Sequence, residues 1–169
     1  VNRGLALYNG KIYVPVNDGR LQALDAETGK PVWEARVSYT QNEQTLTMAP
    51  RIAKGKVIVG TGGRAPGGNF IVALDADSGK EAWRFATIAR PGEPGGESWN
   101  GLPLDKRSGG SVWTAGSYDA KRNLAFFGPA PTYDTGPMRD AVAKRGVTND
   151  ALYTNATLGY RVVLPAGHR

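Results

Sequence analysis

Short apolar segments alternate with glycine-containing turns along the first part of the chain. Within residues 5–37 the turns are Asn9-Gly10, Asp18-Gly19 and Thr28-Gly29. Apolar and polar positions alternate between them with a period of two, which predicts β-strands. Asn-Gly and Asp-Gly accept the positive φ angles that two-residue hairpin turns require. The pattern therefore predicts an antiparallel meander over residues 5–37. Its four segments are Leu5–Tyr8, Lys11–Val16, Leu21–Leu24 and Val32–Val37.

An eleven-residue pattern then returns. The segment ALDAETGKPVW begins at Ala23 and ALDADSGKEAW begins at Ala73, with seven of the eleven positions identical. Self-similarity at a spacing of fifty residues, with about four strands per unit, is typical of propeller blades. The repeat predicts an all-β fold, an antiparallel β-propeller fragment of about three blades in an incomplete ring. The blade units lie around residues 5–37 and 50–87, and a third hairpin lies at 116–128.

Three residue types recur within the repeat, and each has a structural task. The aspartate can accept backbone N–H bonds in the turn, and the glycine can supply a left-handed residue. The tryptophan is large and flat enough to lie between neighbouring sheets, so we expect both copies to be buried at equivalent positions. These residues are Asp25, Gly29 and Trp33 in the first unit, and Asp75, Gly79 and Trp83 in the second.

A glycine-rich loop, VIVGTGGRAPGG at residues 57–68, matches the spacing of a dinucleotide-binding fingerprint through Gly60, Gly62 and Ala65. A phosphate-binding loop needs a helix directly after the glycines, so that its N-terminal N–H groups face the anion. Here a strand-like segment, NFIVALD, follows instead. The match is therefore accidental, and the loop joins two strands of one blade.

The rest of the chain is predicted as rim loops and a tail. Residues 91–111 and 129–148 have the composition of long loops on one rim, and 135–146 contains at most three turns of helix. We assign 1–158 to a partial propeller. The segment 159–169, which holds the single histidine, His168, is a divergent tail that does not resemble the repeat, and that histidine is not expected to be a ligand.

Composition excludes several classes of function. The net charge is +6, but the 21 Lys and Arg are scattered among 15 Asp and Glu, without the clustering of a nucleic-acid surface. No apolar stretch approaches the roughly 18 residues of a membrane helix. The chain has no cysteine, hence no disulfide or thiolate site. We also expect that three blades, which cannot close a ring, leave apolar surface that favours self-association or pairing with further blades.

Several segments together resemble the N-terminal part of the quinoprotein alcohol dehydrogenases. They are VNRGLALYNGKIYV, TLTMAPRIAKGKVIVG, the two tryptophan motifs, and GGSVW followed by YDAKRNLAFFG. The similarity extends over roughly residues 1–135. That family consists of eight-bladed propellers that bind pyrroloquinoline quinone (PQQ) and a metal ion at the centre of one face. The resemblance implies a periplasmic protein, and the sequence pattern predicts no signal peptide within residues 1–169.

The resemblance implies four cofactor-binding residues. Arg3 matches an arginine that pairs with a cofactor carboxylate, which suits the forked guanidinium. Thr47 matches a threonine whose hydroxyl bonds the quinone cofactor. Gly63 matches a glycine whose missing side chain lets the flat cofactor approach the backbone. Trp113 matches the tryptophan on which the cofactor ring stacks, although a core tryptophan is the alternative from the residues alone.

Two positions depart from the family pattern and make a calcium or lanthanide site doubtful. A metal-binding glutamate of the family is matched by Ala65, after Arg64, and an asparagine ligand by Pro131. A cation site needs several oxygen ligands, usually with carboxylates, so no metal ligand is assigned. Arg64 is a candidate for supplying positive charge at the quinone oxygen instead. Acids of the rim loops are the alternative metal ligands: Glu93, Glu97, Asp134 and Asp140.

Two interpretations of function remain, from different classes. The first is part of a PQQ-dependent dehydrogenase that oxidises small alcohols or sugars by hydride transfer to the quinone. The family's catalytic aspartate would come from a later blade, so no catalytic residue is assigned and this chain alone is expected to be inactive. The alternative is a non-catalytic propeller scaffold or protein-binding module without cofactor. A third possibility, an unrelated enzyme, has no recognisable catalytic set in the sequence.

Overall fold

The computed structural model describes residues 1–141 and 145–162. Within these residues eleven β-strands form three antiparallel sheets, which confirms the predicted all-β class. The first sheet contains β1 (Ala6–Tyr8), β2 (Lys11–Pro15), β3 (Arg20–Asp25) and β4 (Pro31–Arg36). The second sheet contains β5 (Arg51–Ala53), β6 (Lys56–Gly60), β7 (Phe70–Asp75) and β8 (Glu81–Ala86). The third sheet contains β9 (Ser117–Asp119), β10 (Leu124–Phe127) and β11 (Leu158–Arg161). In each sheet the strands pair in chain order.

Turn chemistry accounts for these meanders. Asn9 and Gly10 both have positive φ, 49° and 70°, as a two-residue hairpin turn requires. In the repeated turn, the Asp25 carboxylate accepts the N–H groups of Glu27 and Thr28 at 3.2 and 2.7 Å, and Gly29 has a φ of 69°. The predicted roles of this aspartate and this glycine are confirmed.

The second copy of the repeat has the same turn. Asp75 accepts the N–H groups of Asp77 and Ser78 at 3.2 and 3.0 Å, and Gly79 has a φ of 70°. In addition, the Lys56 ammonium lies 3.0 Å from the Asp75 carboxylate. Hydrogen bonds from Lys56 and Ser78 lower the pKa of Asp75 to about 2.

The two repeated tryptophans are equivalent, each lying half-buried between two sheets. The indole N–H of Trp33 donates to the Ala76 carbonyl of the second sheet's turn at 3.0 Å. The indole N–H of Trp83 donates to the carbonyl of Val162, just after the third sheet, also at 3.0 Å. Each tryptophan therefore joins its own sheet to the next one.

Two apolar clusters fill the space between the sheets. Because β7 is buried on both faces, its successive side chains enter the two clusters alternately. The cluster between the first and second sheets contains Tyr13, Leu21, Val57, Val59, Phe70, Val72 and Leu74, among others. The cluster between the second and third sheets contains Met48, Ile58, Ile71, Ala73, Ala125 and Phe127, among others. The second sheet therefore packs against both the first and the third sheet.

The rim loops form a smaller cluster of their own. It contains Ile88, Ala89, Trp99, Met138 and Ala151. Its backbone elements are the 3₁₀ helices Gly96–Trp99 and Leu104–Lys106, and the α-helix Gly136–Asp140. A third 3₁₀ helix, Thr40–Asn42, lies in the chain segment that connects β4 to β5.

The α-helix is shorter than the three turns allowed by the sequence. It ends before Ala141, which is extended, at a ψ of 140°. The Asn100 amide donates to the carbonyls of Met138 and Ala141, so these groups are paired outside the helix. Residues 142–144 lie outside the described residues.

The segment assigned to the divergent tail begins with a strand that the sequence did not predict. Residues 158–161 form β11, which pairs with β10 in an antiparallel register. Tyr160 stacks on Trp83 with ring centroids 5.8 Å apart, and burial raises the pKa of its hydroxyl. His168 lies outside the described residues. Among the described residues, no helix is both long and apolar enough to cross a membrane.

Candidate functional site

A cavity of about 390 Å³ opens where the first strands of the three sheets begin. β5 lies beside both β1 and β9, so the segments that precede these strands come together. The residues that line this cavity, here called the Arg3–Trp113 cavity, are Val1, Arg3, Asn17, Thr45, Thr47, Gly62, Gly63, Ser111, Trp113 and Tyr133. All four residues predicted from the sequence are among them.

Arg3 and Trp113 are in direct contact in this cavity. The Arg3 guanidinium carbon lies 5.2 Å from the centre of the Trp113 ring, within the range of a cation–π interaction. Trp113 is 44% exposed, whereas Trp99 in the rim cluster is 1% exposed. Trp113 is therefore not a core tryptophan, and its ring is open to a ligand.

Two threonines on this side of the cavity have different tasks. The Thr45 hydroxyl donates to the Gly62 carbonyl at 3.1 Å, and the backbones of these two residues also bond each other. The backbone of Thr47 accepts the Arg3 N–H at 3.1 Å. Within the part of the chain that the structure describes, no hydrogen bond involves the Thr47 hydroxyl. Thr45 therefore holds the glycine loop, while the Thr47 hydroxyl is available to a ligand.

Gly63 is required by the protein's own backbone. Its φ is 127°, and a Cβ atom at this position would collide with the Glu43 carbonyl oxygen. Its N–H donates to the Ser111 hydroxyl at 3.0 Å. These contacts explain the glycine without a ligand. That its missing side chain also admits a flat cofactor stays a prediction.

Sequence reasoning missed several residues at or behind this cavity. Thr45, Ser111 and Tyr133 line it, and the buried side chain of Asn69 bonds to Ser111 behind it. Ser111 is adjacent to the GGSVW tryptophan in sequence, which could have indicated it. Asn69 carries no comparable signal, because its side-chain partners Gly109 and Ser111 are 40 and 42 residues away in the chain.

Positive charge without an adjacent acid characterises the cavity. Arg3 is the one charged side chain among its described lining residues. Hydroxyl groups of Ser and Thr, backbone amides and two aromatic rings make up most of the remaining surface. Such a donor set suits a flat, anionic ligand better than a metal ion, which needs oxygen ligands with negative charge.

The positions matched to the family's metal ligands do not line this cavity. Ala65 is fully buried, and Arg64 is exposed and lies outside the lining residues. Pro131 lines a separate cavity together with Met138, Asp150 and Thr154, among others. In the described ranges 1–141 and 145–162, no group of three or more His, Asp or Glu side chains could hold a metal ion.

The rim-loop acids considered as replacements also lie elsewhere. Glu93 and Glu97 line a separate cavity within the rim loop 91–111. The Asp134 carboxylate accepts the Gly136 N–H at 3.0 Å, and Asp140 pairs with Arg139 at 2.6 Å. None of the four is a lining residue of the Arg3–Trp113 cavity.

Known proteins are similar to this chain in both sequence and fold. The family model of the PQQ glucose/ethanol/alcohol dehydrogenase β-propeller domain matches residues 3–156. Quinohemoprotein alcohol dehydrogenase ADH IIB of Pseudomonas putida is 40% identical over 174 aligned positions, which cover 95% of this chain and 24% of that protein. The chain thus spans about a quarter of the length of this relative.

Solved structures of alcohol dehydrogenases have the same fold as this chain. The structure of quinohemoprotein alcohol dehydrogenase ADHIIG from Pseudomonas putida superimposes with a TM-score of 0.81 at 33% identity, covering 96% of this chain and 25% of that one. A europium-containing methanol dehydrogenase superimposes with a TM-score of 0.68 at 26% identity, covering 89% and 31%. The predicted propeller fragment of about three blades is confirmed. The chain belongs to the PQQ-dependent alcohol dehydrogenase β-propeller family and corresponds to its N-terminal region.

Proposed function

We propose that this chain contributes the PQQ-binding surface of a dehydrogenase that oxidises small alcohols or sugars. The observation that carries the proposal is the pairing of an exposed aromatic ring, Trp113, with an arginine that has no acidic partner among the described residues, in one cavity. PQQ is a flat tricarboxylate, and both features suit it. When bound, PQQ supplies a quinone that accepts the hydride of the alcohol.

Each residue of the cavity has a distinct task in this proposal. The Arg3 guanidinium binds a carboxylate, for which its planar fork is suited. The Thr47 hydroxyl donates to a cofactor oxygen. The Trp113 ring provides a stacking surface and excludes water from one side of the ligand. The cavity volume of about 390 Å³ falls within the range of small-molecule sites.

The proposal includes no tight calcium or lanthanide site in this part of the protein. Ala65 and Pro131 offer no carboxylate or amide ligand, and the described lining residues include no acid. Fixed positive charge at the quinone would come from an arginine. Arg64 was the candidate from the sequence, but Arg3 is the arginine that lines the cavity.

Turnover is proposed to need residues beyond those described. The described side chains that line the cavity include no carboxylate or imidazole to accept the alcohol proton, so a general base must come from elsewhere. The chain alone is therefore expected to bind PQQ without oxidising alcohols. By family, the protein is proposed to act in the periplasm.

Equilibrium dialysis of PQQ tests the binding proposal directly. Trp113→Ala and Arg3→Gln should each raise the Kd of PQQ roughly tenfold or more, as loss of one charge-assisted or stacking contact implies. Arg36→Gln is the matched control, because Arg36 also stacks on an exposed aromatic residue, Tyr39, at 5.6 Å but outside the cavity. No binding by the unsubstituted chain would favour the scaffold alternative.

A dye-reduction assay tests the chemistry. The chain is incubated with PQQ and a panel of primary alcohols and sugars, with calcium, with lanthanum or with chelator. We expect no turnover under any condition. Turnover that depends on added metal would contradict the metal-free site, and metal-independent turnover would contradict the need for a further base.

We further propose that the outer face of the first sheet is covered in the functional assembly. Leu7 and Val32 on this face are 69% and 48% exposed, and Leu5 beside it is 55% exposed. In isolation the chain should use this face to self-associate. Sedimentation velocity at micromolar concentration tests the point, with Leu7→Lys expected to shift the protein toward monomer. A monomer without the substitution would contradict the proposal.

A further inference from the structure

A buried asparagine lies behind two sides of the Arg3–Trp113 cavity and bonds to both. Asn69 is 1% exposed and does not line the cavity. Its amide nitrogen donates to the Gly63 carbonyl at 2.9 Å and to the Gly109 carbonyl at 2.8 Å. The Ser111 hydroxyl lies 3.2 Å from the same nitrogen. One side chain thus connects the glycine loop after β6 with the segment that leads to Trp113.

These acceptors determine the orientation of the amide. Turning it over would place its oxygen against the carbonyl oxygens of Gly63 and Gly109, which are acceptors only. The amide oxygen of Asn69 consequently has no hydrogen-bond partner among the described residues, although it is buried. Leaving a buried acceptor unpaired is unfavourable. The two donated hydrogen bonds therefore fix this orientation of the amide, even though its oxygen stays unpaired.

Neighbouring bonds hold the same two segments. The Ser111 hydroxyl accepts the Gly63 N–H, so Gly63 is held through both its N–H and its carbonyl. The backbone carbonyl of Asn69 accepts the Thr87 N–H at 2.9 Å, and the Thr87 hydroxyl donates to the Gly110 carbonyl. Asn69 is therefore the point where β7, the glycine loop and the Gly109–Ser111 segment meet.

We propose that Asn69 is a positioning residue for the cofactor. It sets the separation between the Gly62–Gly63 side of the cavity and the Ser111–Trp113 side, and so determines whether a flat ring system can enter and stack. The inference rests on the proposed PQQ site and extends it to a residue that does not itself contact the ligand. A small displacement of either side would misplace a stacked ring, because stacking depends on a narrow range of separations.

Asn100 provides a matched control within the same chain. It too is buried, at 9% exposed, and its amide also donates to two backbone carbonyls, those of Met138 and Ala141. These bonds lie in the rim loops and do not reach the Arg3–Trp113 cavity. A general loss of stability should therefore follow both substitutions, whereas a loss of cofactor affinity should follow only one.

The test compares the 169-residue chain with Asn69→Ala, Asn69→Asp and Asn100→Ala by equilibrium dialysis of PQQ and by urea unfolding. We expect Asn69→Ala to raise the Kd of PQQ roughly tenfold and Asn100→Ala to leave it within about twofold, at similar losses of stability. Asn69→Asp preserves the shape but removes both donors, so it should weaken binding at least as much as the alanine variant.

Amide hydrogen exchange gives a second readout that does not need PQQ. The Gly63 N–H should exchange slowly in the unsubstituted chain, despite its position in a loop, and faster in Asn69→Ala but not in Asn100→Ala. Rapid exchange in the unsubstituted chain, or equal PQQ affinity in Asn69→Ala, would overturn the inference while leaving the proposed function intact. Absence of PQQ binding by the unsubstituted chain would overturn both.

Discussion

The first and second sheets carry the same repeat, yet their surroundings differ. The central strand of the second sheet, β7, is buried on both faces, whereas the equivalent strand of the first sheet, β3, is buried on one. The second sheet lies between two others, and the first has a neighbour on one side among the described residues. The same residue at the same repeat position can therefore be a core residue in one sheet and a surface residue in the other.

The repeated glycines show the same difference at a single position. Gly29 and Gly79 have nearly identical φ angles, 69° and 70°. A Cβ atom on Gly79 would lie 2.8 Å from carbons of the Trp33 ring, whereas one on Gly29 would meet nothing within 4 Å. The glycine of the second sheet thus serves both the turn and the contact with the preceding sheet. That of the first sheet serves the turn.

Replacing the repeated leucine with alanine should give the largest difference in stability loss between the two sheets. Leu74 is 3% exposed in the cluster between the first two sheets, and Leu24 is half-buried on the outer face. Leu74→Ala should cost about 3 kcal/mol of unfolding free energy, as expected for a buried leucine, and Leu24→Ala about 1 kcal/mol. Urea unfolding measures both. Equal losses would mean that the outer face is covered in solution.

Alanine at the repeated glycines should give the next largest difference. Gly29→Ala places an alanine in the left-handed region and should cost about 1 kcal/mol. Gly79→Ala adds a collision with the Trp33 ring and should cost about 3 kcal/mol, as overpacking is typically worth a further 1–3. The same unfolding experiment applies. If Gly79→Ala is no worse than Gly29→Ala, Trp33 does not lie against this turn in solution.

Removing the indole N–H groups should give a smaller contrast. The Ala76 carbonyl, which accepts from Trp33, also accepts from the Tyr13 hydroxyl at 3.1 Å. Among the described residues, the Val162 carbonyl has Trp83 as its donor. Trp83→Phe should therefore cost about 1 kcal/mol more than Trp33→Phe, because it leaves an acceptor unpaired. Thermal unfolding of both variants checks the order, and a reversed order would contradict this assignment of donors.

Acid pH should reveal the smallest difference, at the repeated aspartates. The pKa of Asp75 is about 2, below its ordinary value of 3.8, chiefly through the hydrogen bond from Lys56. The pKa of Asp25 is also lowered, chiefly by Thr28. Since the folded pKa is depressed, this contribution to stability is present above pH 4 or so and is lost as the pH falls toward about 2.

Asparagine substitutions at the two positions provide the measurement. Asp75→Asn should destabilise the protein more than Asp25→Asn at neutral pH, because Lys56 pairs with Asp75 whereas no lysine forms a salt bridge with Asp25 among the described residues. The gap should narrow as the pH falls from about 4 toward 2, where the native carboxylates also become protonated. The effect is small because the Asp75 side chain is 38% exposed and solvent screens the pair. Curves that stay parallel down to pH 2 would contradict the role of Lys56.

The features that the sequence could predict by itself are those that depend on residues close together in the chain. Turn residues and a period of two are local properties, so the hairpins of the first two sheets and their aspartate-glycine turns followed from the pattern. The helix expected within 135–146 ended early because the Asn100 amide, which is distant in sequence, pairs with the carbonyls of Met138 and Ala141. β11 was missed because its partner strand precedes it by some thirty residues.

Identifying the residues of the cavity required the family resemblance as well as the fold. Arg3, Thr47, Gly63 and Trp113 could be named because they match a known pattern, and the stacking of three sheets brings them together. No property of Arg3 or Trp113 alone indicates that they touch across 110 residues of chain. The exposed fraction of Trp113, which distinguishes a solvent-accessible ring from a core ring, is a result of tertiary packing.

The sequence by itself determined the strands, the turns and the repeat, since these depend on backbone preferences and on residues a few positions apart. The tertiary structure decided which copy of the repeat is buried, why Gly63 must be a glycine, and that Asn69 joins two sides of the cavity. Those properties depend on what lies opposite a residue in space. Side-chain burial and hydrogen-bond partners are set by segments that only the stacking of the sheets brings within contact.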